Sequence, residues 1–186
     1  MKKSIGAENC LYPTPTTIVG ADINGKANYI TIAWIGILGF KTIGMAMNKS
    51  HYTNQGIKEN KTFSVNIPSV NMLKATDYFG IVSGKNIDKS ILFKNFYGLL
   101  KNAPMIEECA INMECELTQV LDSKSHEIFI GNIVATYCDD KYMTNGKVDL
   151  VKVQPFFFSM YEPAYWGLGE QIGKAWSIGK DFKSIK

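Results

Sequence analysis

Apolar and polar positions alternate through most of the chain, and short strands are the element this pattern predicts most often. Over Lys26 to Ile32, Ile30 and Ile32 fall on one face and Tyr29 and Thr31 on the other, the two-residue period of a strand with two distinct sides. Asn24-Gly25 immediately before it is a hairpin signal, because both residues tolerate the positive φ of a tight two-residue turn, and it joins this strand to an earlier one over Thr16 to Asp22. Tyr12-Pro13-Thr14-Pro15 enters extended, since each proline steers the residue before it away from helix. After Ile32 the pattern opens into Trp34 and the glycine-spaced run Ile35 to Gly39. Gly36-Ile37-Leu38-Gly39 reads as a loop, with a large ring beside sparsely covered backbone, a platform for a flat molecule.

Further on, Thr42 to Met47 predicts a third strand with Gly44 and Ala46 small on one face, which marks close approach of another group. The polar stretch Tyr52 to Asn60 predicts a helix with Ser50 as its N-cap and Thr53 three residues on, a helix start that attracts phosphate. By local sequence alone, Ser50 simply caps and Thr53 faces solvent. Thr62 to Ile67 alternates as a strand ended by Pro68, and Ser69 caps a helix over Val70 to Phe79. Ser83 to Lys89 is a lysine-bearing loop without the order of a phosphate loop, so a nucleoside triphosphatase is disfavoured. Phe93 to Leu100 predicts a short apolar helix. Cys109 to Leu121 and Glu127 to Cys138 form the longest hairpin, with Ile111, Met113, Cys115, Leu117 and Gln119 on one face, Cys109 in register and His126 exposed at its end. Pro155 to Phe158 begins a last strand, and Tyr161 to Trp166 gathers aromatic rings. Gly167-x-Gly169-x-x-x-Gly173 has the wrong spacing for a dinucleotide fingerprint and leaves too little chain for a βαβ unit. Lys180 to Lys186 is polar and terminal.

Many short alternating strands with few helices between them predict a mainly β fold, a closed antiparallel β-barrel with attached helices. A length of 186 residues fits a single domain, residues 1–186, able to bury one core. Hydrophobic content of 46% with 20% charge is that of a soluble globular protein. No apolar run reaches the roughly 18 residues of a membrane span, and the N-terminus lacks the apolar segment of a signal peptide, which leads to the expectation of a cytoplasmic protein with no membrane partner. The net charge of +3 is scattered, so no nucleic-acid partner is expected. All 20 basic residues are lysines, so a bound phosphate would be held by ammonium groups, hydroxyls and backbone N–H groups. The four cysteines form no C-x-x-C pair and there are two histidines, too few ligands for zinc or an iron–sulfur centre; the cysteines read as small core residues.

The order Pro13-x-Pro15, Asn28-Tyr29-Ile30-Thr31-x-x-Trp34, Asn48-Lys49-Ser50-His51-x-Thr53, Phe63-x-Val65-Asn66-Ile67-Pro68, Ser83-Gly84 with Asp88-Lys89, and late Tyr161 with Tyr165-Trp166 resembles the flavin reductase-like FMN-binding proteins, flavoredoxin-like members in particular. The resemblance covers about residues 12 to 180. It implies an FMN-binding split barrel, Greek-key and antiparallel, that forms a homodimer with each flavin near the interface. It assigns Trp34 and the backbone of Thr31, Ile32, Ala33 and Ile35 to the flavin ring, Ser50 and Thr53 to the phosphate or ribityl chain, Lys89 to the phosphate or ring edge, and Tyr165 to a ring-covering aromatic. Asn48, Lys49 and Ser83 are further cofactor-binding residues that it implies. A residue near His126 approaches the ligand. With no catalytic triad, metal set or paired carboxylates, the cofactor is the reactive centre. Three functions stay open: an oxidoreductase reduced by NAD(P)H, an electron carrier serving a redox partner protein, and a flavin or small-ligand module without turnover.

Overall fold

The computed structural model of the chain describes residues 1–180 and 182, so most of the predicted polar terminus lies outside the described residues. In chain order the elements are β1 (Thr14–Pro15), β2 (Thr17–Ile23), β3 (Lys26–Ile32), β4 (Ile35–Gly39), β5 (Thr42–Asn48), α1 (Thr53–Asn60), β6 (Thr62–Ile67) and α2 (Leu73–Ile81). They continue with β7 (Asn95–Phe96), β8 (Met105–Ile106), β9 (Ile111–Asp122), β10 (His126–Cys138), β11 (Met143–Thr144), β12 (Lys147–Val148), α3 (Leu150–Val153), β13 (Phe156–Ser159) and β14 (Ala164–Gly167).

Seven of these strands form one antiparallel sheet in the order β3-β2-β6-β9-β10-β5-β4. Its edge strands, β3 and β4, are consecutive in the chain, with only Ala33 and Trp34 between them, yet they do not pair. The sheet therefore curls round until its edges meet at that dipeptide, and the barrel is split there. Its inner face carries the main core: Val19 and Ala21 from β2, Ile30 and Ile32 from β3, Ile43, Met45 and Met47 from β5, Phe63, Cys115 and Phe129 from the next strands, and Ile57 of α1. Apolar residues from six of the strands, joined at the periphery by Ile35 of β4, bury against one another; this shared burial is what holds the sheet curved.

The outer face of β2 and β3 is covered by α2. Ile18 and Tyr29 there pack with Met72, Phe79, Ile106 and Cys109 in a second cluster, with Tyr29 and Phe79 stacked at 6.0 Å. The two faces read for β3 are thus both buried, Ile30 and Ile32 in the barrel and Tyr29 outside it. Asn24 and Gly25 both adopt positive φ in the turn that joins β2 to β3.

Five local expectations are corrected. Gly36 to Gly39 is not a loop: β4 pairs with β5, Ile35 opposite Met45 and Gly36 opposite Gly44, with an irregularity before Gly39. Phe93 to Leu100 is not a helix. Its backbone N–H groups at Gly98, Leu99 and Leu100 donate to the buried Glu114 carboxylate, which also accepts from the Tyr137 hydroxyl, and Asn95–Phe96 pairs with β8 instead. Ser50 does not cap α1, whose first turn follows Tyr52 without a side-chain cap. Ser69 likewise precedes a short 3-10 turn, Val70–Met72, without a side-chain cap, and α2 starts only at Leu73. Cys109 lies outside β9 in the outer cluster, while Cys115 sits in the barrel; burial pushes both thiols up, Cys115 to about 12, so both behave as core residues.

Candidate functional site

The split between β3 and β4 exposes Trp34. Its carbonyl accepts from the Ala46 N–H, which fixes the dipeptide against β5, while the ring remains 37% exposed. The ring packs on His126, with centroids 5.0 Å apart and planes tilted by 32°. His126 opens β10 opposite Asn48, and the Lys49 N–H donates to the Ser125 carbonyl. The turn between β9 and β10 therefore brings the Trp34 ring and the start of the Asn48 to Tyr52 loop to one place. An apolar cavity of about 340 Å³ opens here, lined by Ala33, Trp34, Ile35 and Gly36 on one side and Leu11 and Met45 on the other. Gly36 and its partner Gly44 keep its floor low, and Leu38 folds over Gly44 where a Cβ would otherwise stand.

Thr31 lies one turn of the pleat earlier, and its hydroxyl donates to the Thr76 carbonyl of α2. Its side chain thus anchors the helix, leaving the backbone of this stretch as what it offers a ligand. Ile32 faces the barrel core.

The second part of the site is polar. Lys49, Ser50, His51, Tyr52 and Lys85 border a cavity of about 410 Å³. Asn48 shapes this loop: its Oδ1 accepts from both the N–H and the hydroxyl of Ser50. Lys49 pairs with Asp122 at 2.5 Å in an exposed ion pair, the weakly stabilising kind that a more highly charged anion can displace. Burial, reinforced by the nearby charges of His126 and Lys89, holds the His51 imidazole below its ordinary value, and its Nδ1 is buried without a hydrogen-bond partner. Thr53 is buried to 1% exposure with its hydroxyl accepting from Asn28 Nδ2 at 2.6 Å, so it fastens α1 to β3 beneath the cavity wall.

The loop from Ser83 to Lys89 closes over the other end of β3. Gly84 lies so close to Asn28 and Tyr52 that any side chain there would collide with Asn28. A further cavity of about 290 Å³ is bounded by Lys26, Asn28, Tyr52, Lys85 and Lys89. Ser83 is exposed and its hydroxyl accepts from the Lys85 N–H. Lys89 is only 3% exposed. Its ammonium donates to the carbonyls of Phe79 and Val82 at 3.0 and 2.9 Å, satisfying the C-terminal end of α2, and burial lowers it to about 8.

Tyr165 belongs to a separate three-stranded sheet, β1-β13-β14. Its ring packs on Phe156 and Phe158 and its hydroxyl donates to Asp77 of α2 at 2.8 Å; burial, and after it this bond to the carboxylate, raises the hydroxyl to about 12. The structure thus brings Trp34, Asn48, Lys49 and Ser50 together, sets Thr53 and Lys89 just behind the polar walls, and gives Tyr165 a strut's role beside α2. Two further residues join the constellation: His126, near which the resemblance already placed a ligand contact and which stacks on Trp34, and Lys85 of the lysine-bearing loop, which borders both polar cavities. The place of His126 depends on the pairing of β10 with β5, a contact between residues far apart in the chain.

An aromatic-walled apolar cavity next to cationic and hydroxyl-bearing cavities suits a ligand with a flat ring at one end and a phosphate at the other, so the residues present fit a flavin mononucleotide. A family profile described as the flavin reductase like domain matches residues 9–151. Flavoredoxin from Methanosarcina acetivorans has a similar structure, with a TM-score of 0.93 at 42% identity over 97% of this chain and 98% of that one. Flavoredoxin of Desulfovibrio vulgaris (Miyazaki F) gives 0.90 at 34% identity over 97% and 100%. An FMN-binding protein from Thermus thermophilus shares the fold at 18% identity, with a TM-score of 0.78 over 94% and 97%.

Proposed function

The chain belongs to the flavin reductase-like family, and we propose that it binds one FMN and works as an oxidoreductase passing electrons through it, as a flavin reductase-like or flavoredoxin-like protein. NAD(P)H or a redox partner protein supplies or receives them. The observation that carries this reading is the convergence at His126, whose ring lies on Trp34 and whose backbone pairs with Asn48. One junction thus offers an apolar aromatic wall and, one loop away, lysines and hydroxyls.

When bound, FMN supplies the capacity to take up and release electrons, which none of the side chains here provides. The protein's own residues bind and orient it. Trp34 and the backbone from Thr31 to Ile35 receive the ring. Asn48, Lys49 and Ser50 receive the phosphate end through charge-assisted hydrogen bonds. Thr53 and Lys89 form the wall behind, Ser83 stands exposed at the start of the neighbouring loop, and Tyr165 holds the minor sheet against α2 at the site's margin. The two flavoredoxins of 42% and 34% identity favour the carrier form of this reading.

Anaerobic stopped-flow separates the two forms. Bleaching of the flavin band by NADH or NADPH identifies a reductase, and bleaching only by dithionite or a reduced partner identifies a carrier. A bound flavin that no reductant reduces contradicts both. A homodimer is part of the same proposal, supported by the apolar side chains of Ile37, 82% exposed on the edge strand β4, and of Phe40, fully exposed in the turn that follows it. Light scattering should give twice the single-chain 20.8 kDa; the single-chain mass at all concentrations rules the dimer out.

A further inference from the structure

The small sheet β1-β13-β14 has two faces, and the register sorts its side chains between them. Phe158 stands opposite Tyr165, and Phe156 shares that side; Phe156 is buried and Tyr165 is bonded to Asp77, so this is the face turned towards the body of the protein. Phe157 stands opposite Trp166 and Pro15 opposite Phe157, which places these three on the outward face. Around that face lies a cleft of about 530 Å³, within the ordinary range for a small-molecule site, to which Tyr12 and Tyr161 add two more rings. It is separate from the cavities beside Trp34 and Tyr52 and shares no lining residue with them.

Two features make this more than a greasy surface. The first is that the largest ring is held in place: Trp166 is 61% exposed, yet its Nε1 donates to Ser159 Oγ at 3.1 Å, and that hydroxyl donates to the Glu162 carbonyl at 2.8 Å. The indole is oriented by the hairpin turn rather than by burial, and its face stays available. The second is charge. Glu162 is the one ionisable acid or base on the cleft wall besides the tyrosines, it is exposed, and among the described residues its carboxylate has no ion-pair partner.

Ring faces carry negative quadrupole charge, and a carboxylate beside them adds a full negative charge without a competing lysine on the wall. A cleft of that make-up selects cations that need no hydrogen-bond acceptors for each N–H. We propose that the cleft between Tyr12, Phe157, Tyr161 and Trp166, with Glu162 at its rim, is a binding site for a small organic cation bearing a quaternary or methylated ammonium group. The charge pattern distinguishes this ligand from a neutral aromatic one, for which Glu162 would be a desolvation cost with nothing in return. The site stands on its own observations and does not depend on flavin binding.

The test is calorimetric titration of the full-length protein, as purified and with saturating FMN, using choline and its uncharged isostere 3,3-dimethylbutan-1-ol. Choline should bind one site per chain and the isostere at least about tenfold more weakly, the discrimination expected of cation–π and carboxylate attraction together. Glu162→Gln should weaken choline severalfold and leave the isostere unchanged. Trp166→Leu, at an exposed position, should abolish choline binding while the circular dichroism stays that of the parent. Equal binding of choline and its isostere shows a merely apolar cleft and overturns the proposal. So does the absence of choline binding, including the case in which a second copy of the chain covers the cleft.

Discussion

Two loops border the cavities beside Tyr52, and the chain employs two of their lysines, Lys49 and Lys89, in opposite ways. In the Asn48 to Tyr52 loop, Lys49 and Ser50 remain at the surface: the ammonium is in an exposed ion pair with Asp122 and the hydroxyl is bonded only to Asn48, two positions away. In the Ser83 to Lys89 loop Lys85 stays at the surface, but Lys89 is drawn inside, where it closes the end of α2 through two backbone carbonyls. Lys49 and Ser50 keep their polar groups at the surface, whereas Lys89 stabilises the helix that covers β3. Residue type alone does not separate these uses; what separates them is whether a side chain's hydrogen-bonding capacity is already satisfied within the chain.

Lys89→Met should give the largest effect on stability. It keeps most of the buried stem but removes a charged donor from two carbonyls, a loss of about 2 to 3 kcal/mol, read as a lower urea midpoint. The pH dependence sharpens this. Below about pH 8 the ammonium is charged in the folded and unfolded chain alike, and its desolvation opposes folding in full. Between about 8 and the ordinary lysine value of 10.5 the unfolded chain binds more protons at this group than the folded one, so its contribution to stability rises with pH and the rise is absent from the methionine variant. An unchanged midpoint with lost flavin affinity would place the ammonium on the ligand and erase the contrast between the loops.

Thr53→Val follows, at about 1 to 2 kcal/mol, because it leaves the Asn28 amide without its buried acceptor; Thr53→Ser should restore most of the loss. Trp34→Ala should act on both stability and ligand. With the residue 37% exposed, its truncation should lower stability by about 1 to 2 kcal/mol, and flavin affinity should also drop on the order of tenfold, which is about 1.4 kcal/mol. Fluorescence quenching of FMN measures this, and a loss of stability without a loss of affinity would make Trp34 a packing residue. Smallest is Ser50→Ala, with no change in melting temperature and a preference for FMN over riboflavin reduced about threefold to fivefold, roughly 0.7 to 1 kcal/mol. A lower melting temperature would mean that the first loop too is structural.

Much of the fold was legible in the chain because it is written in local signals. The turn at Asn24 and Gly25, the two faces of β3 and the long hairpin follow from positive-φ residues and a period of two. What was not legible depends on distant partners. Gly36 to Gly39 lacks the bulky alternation of a strand and becomes one because β5 offers a small-residue face for it to pair with. The backbone from Gly98 to Leu100 is shaped by Glu114, a carboxylate 14 to 16 residues further along the chain. At the site the residue types around Trp34 and Ser50 were readable, while the inward turn of Lys89, the burial of Thr53 and the approach of His126 to Trp34 follow from tertiary packing alone.

The central claim is that a flat ring and a phosphate are received at the junction of Trp34 with the Asn48 to Tyr52 loop. An equilibrium titration of the full-length protein with FMN and with riboflavin, followed by flavin fluorescence, tests it most directly. The account predicts one FMN per chain at micromolar concentration or below and riboflavin weaker by at least about fivefold, the contribution of roughly 1 kcal/mol or more from charge-assisted phosphate contacts. Flavin fluorescence that stays unquenched at micromolar protein, or equal affinity for the two flavins, would contradict it.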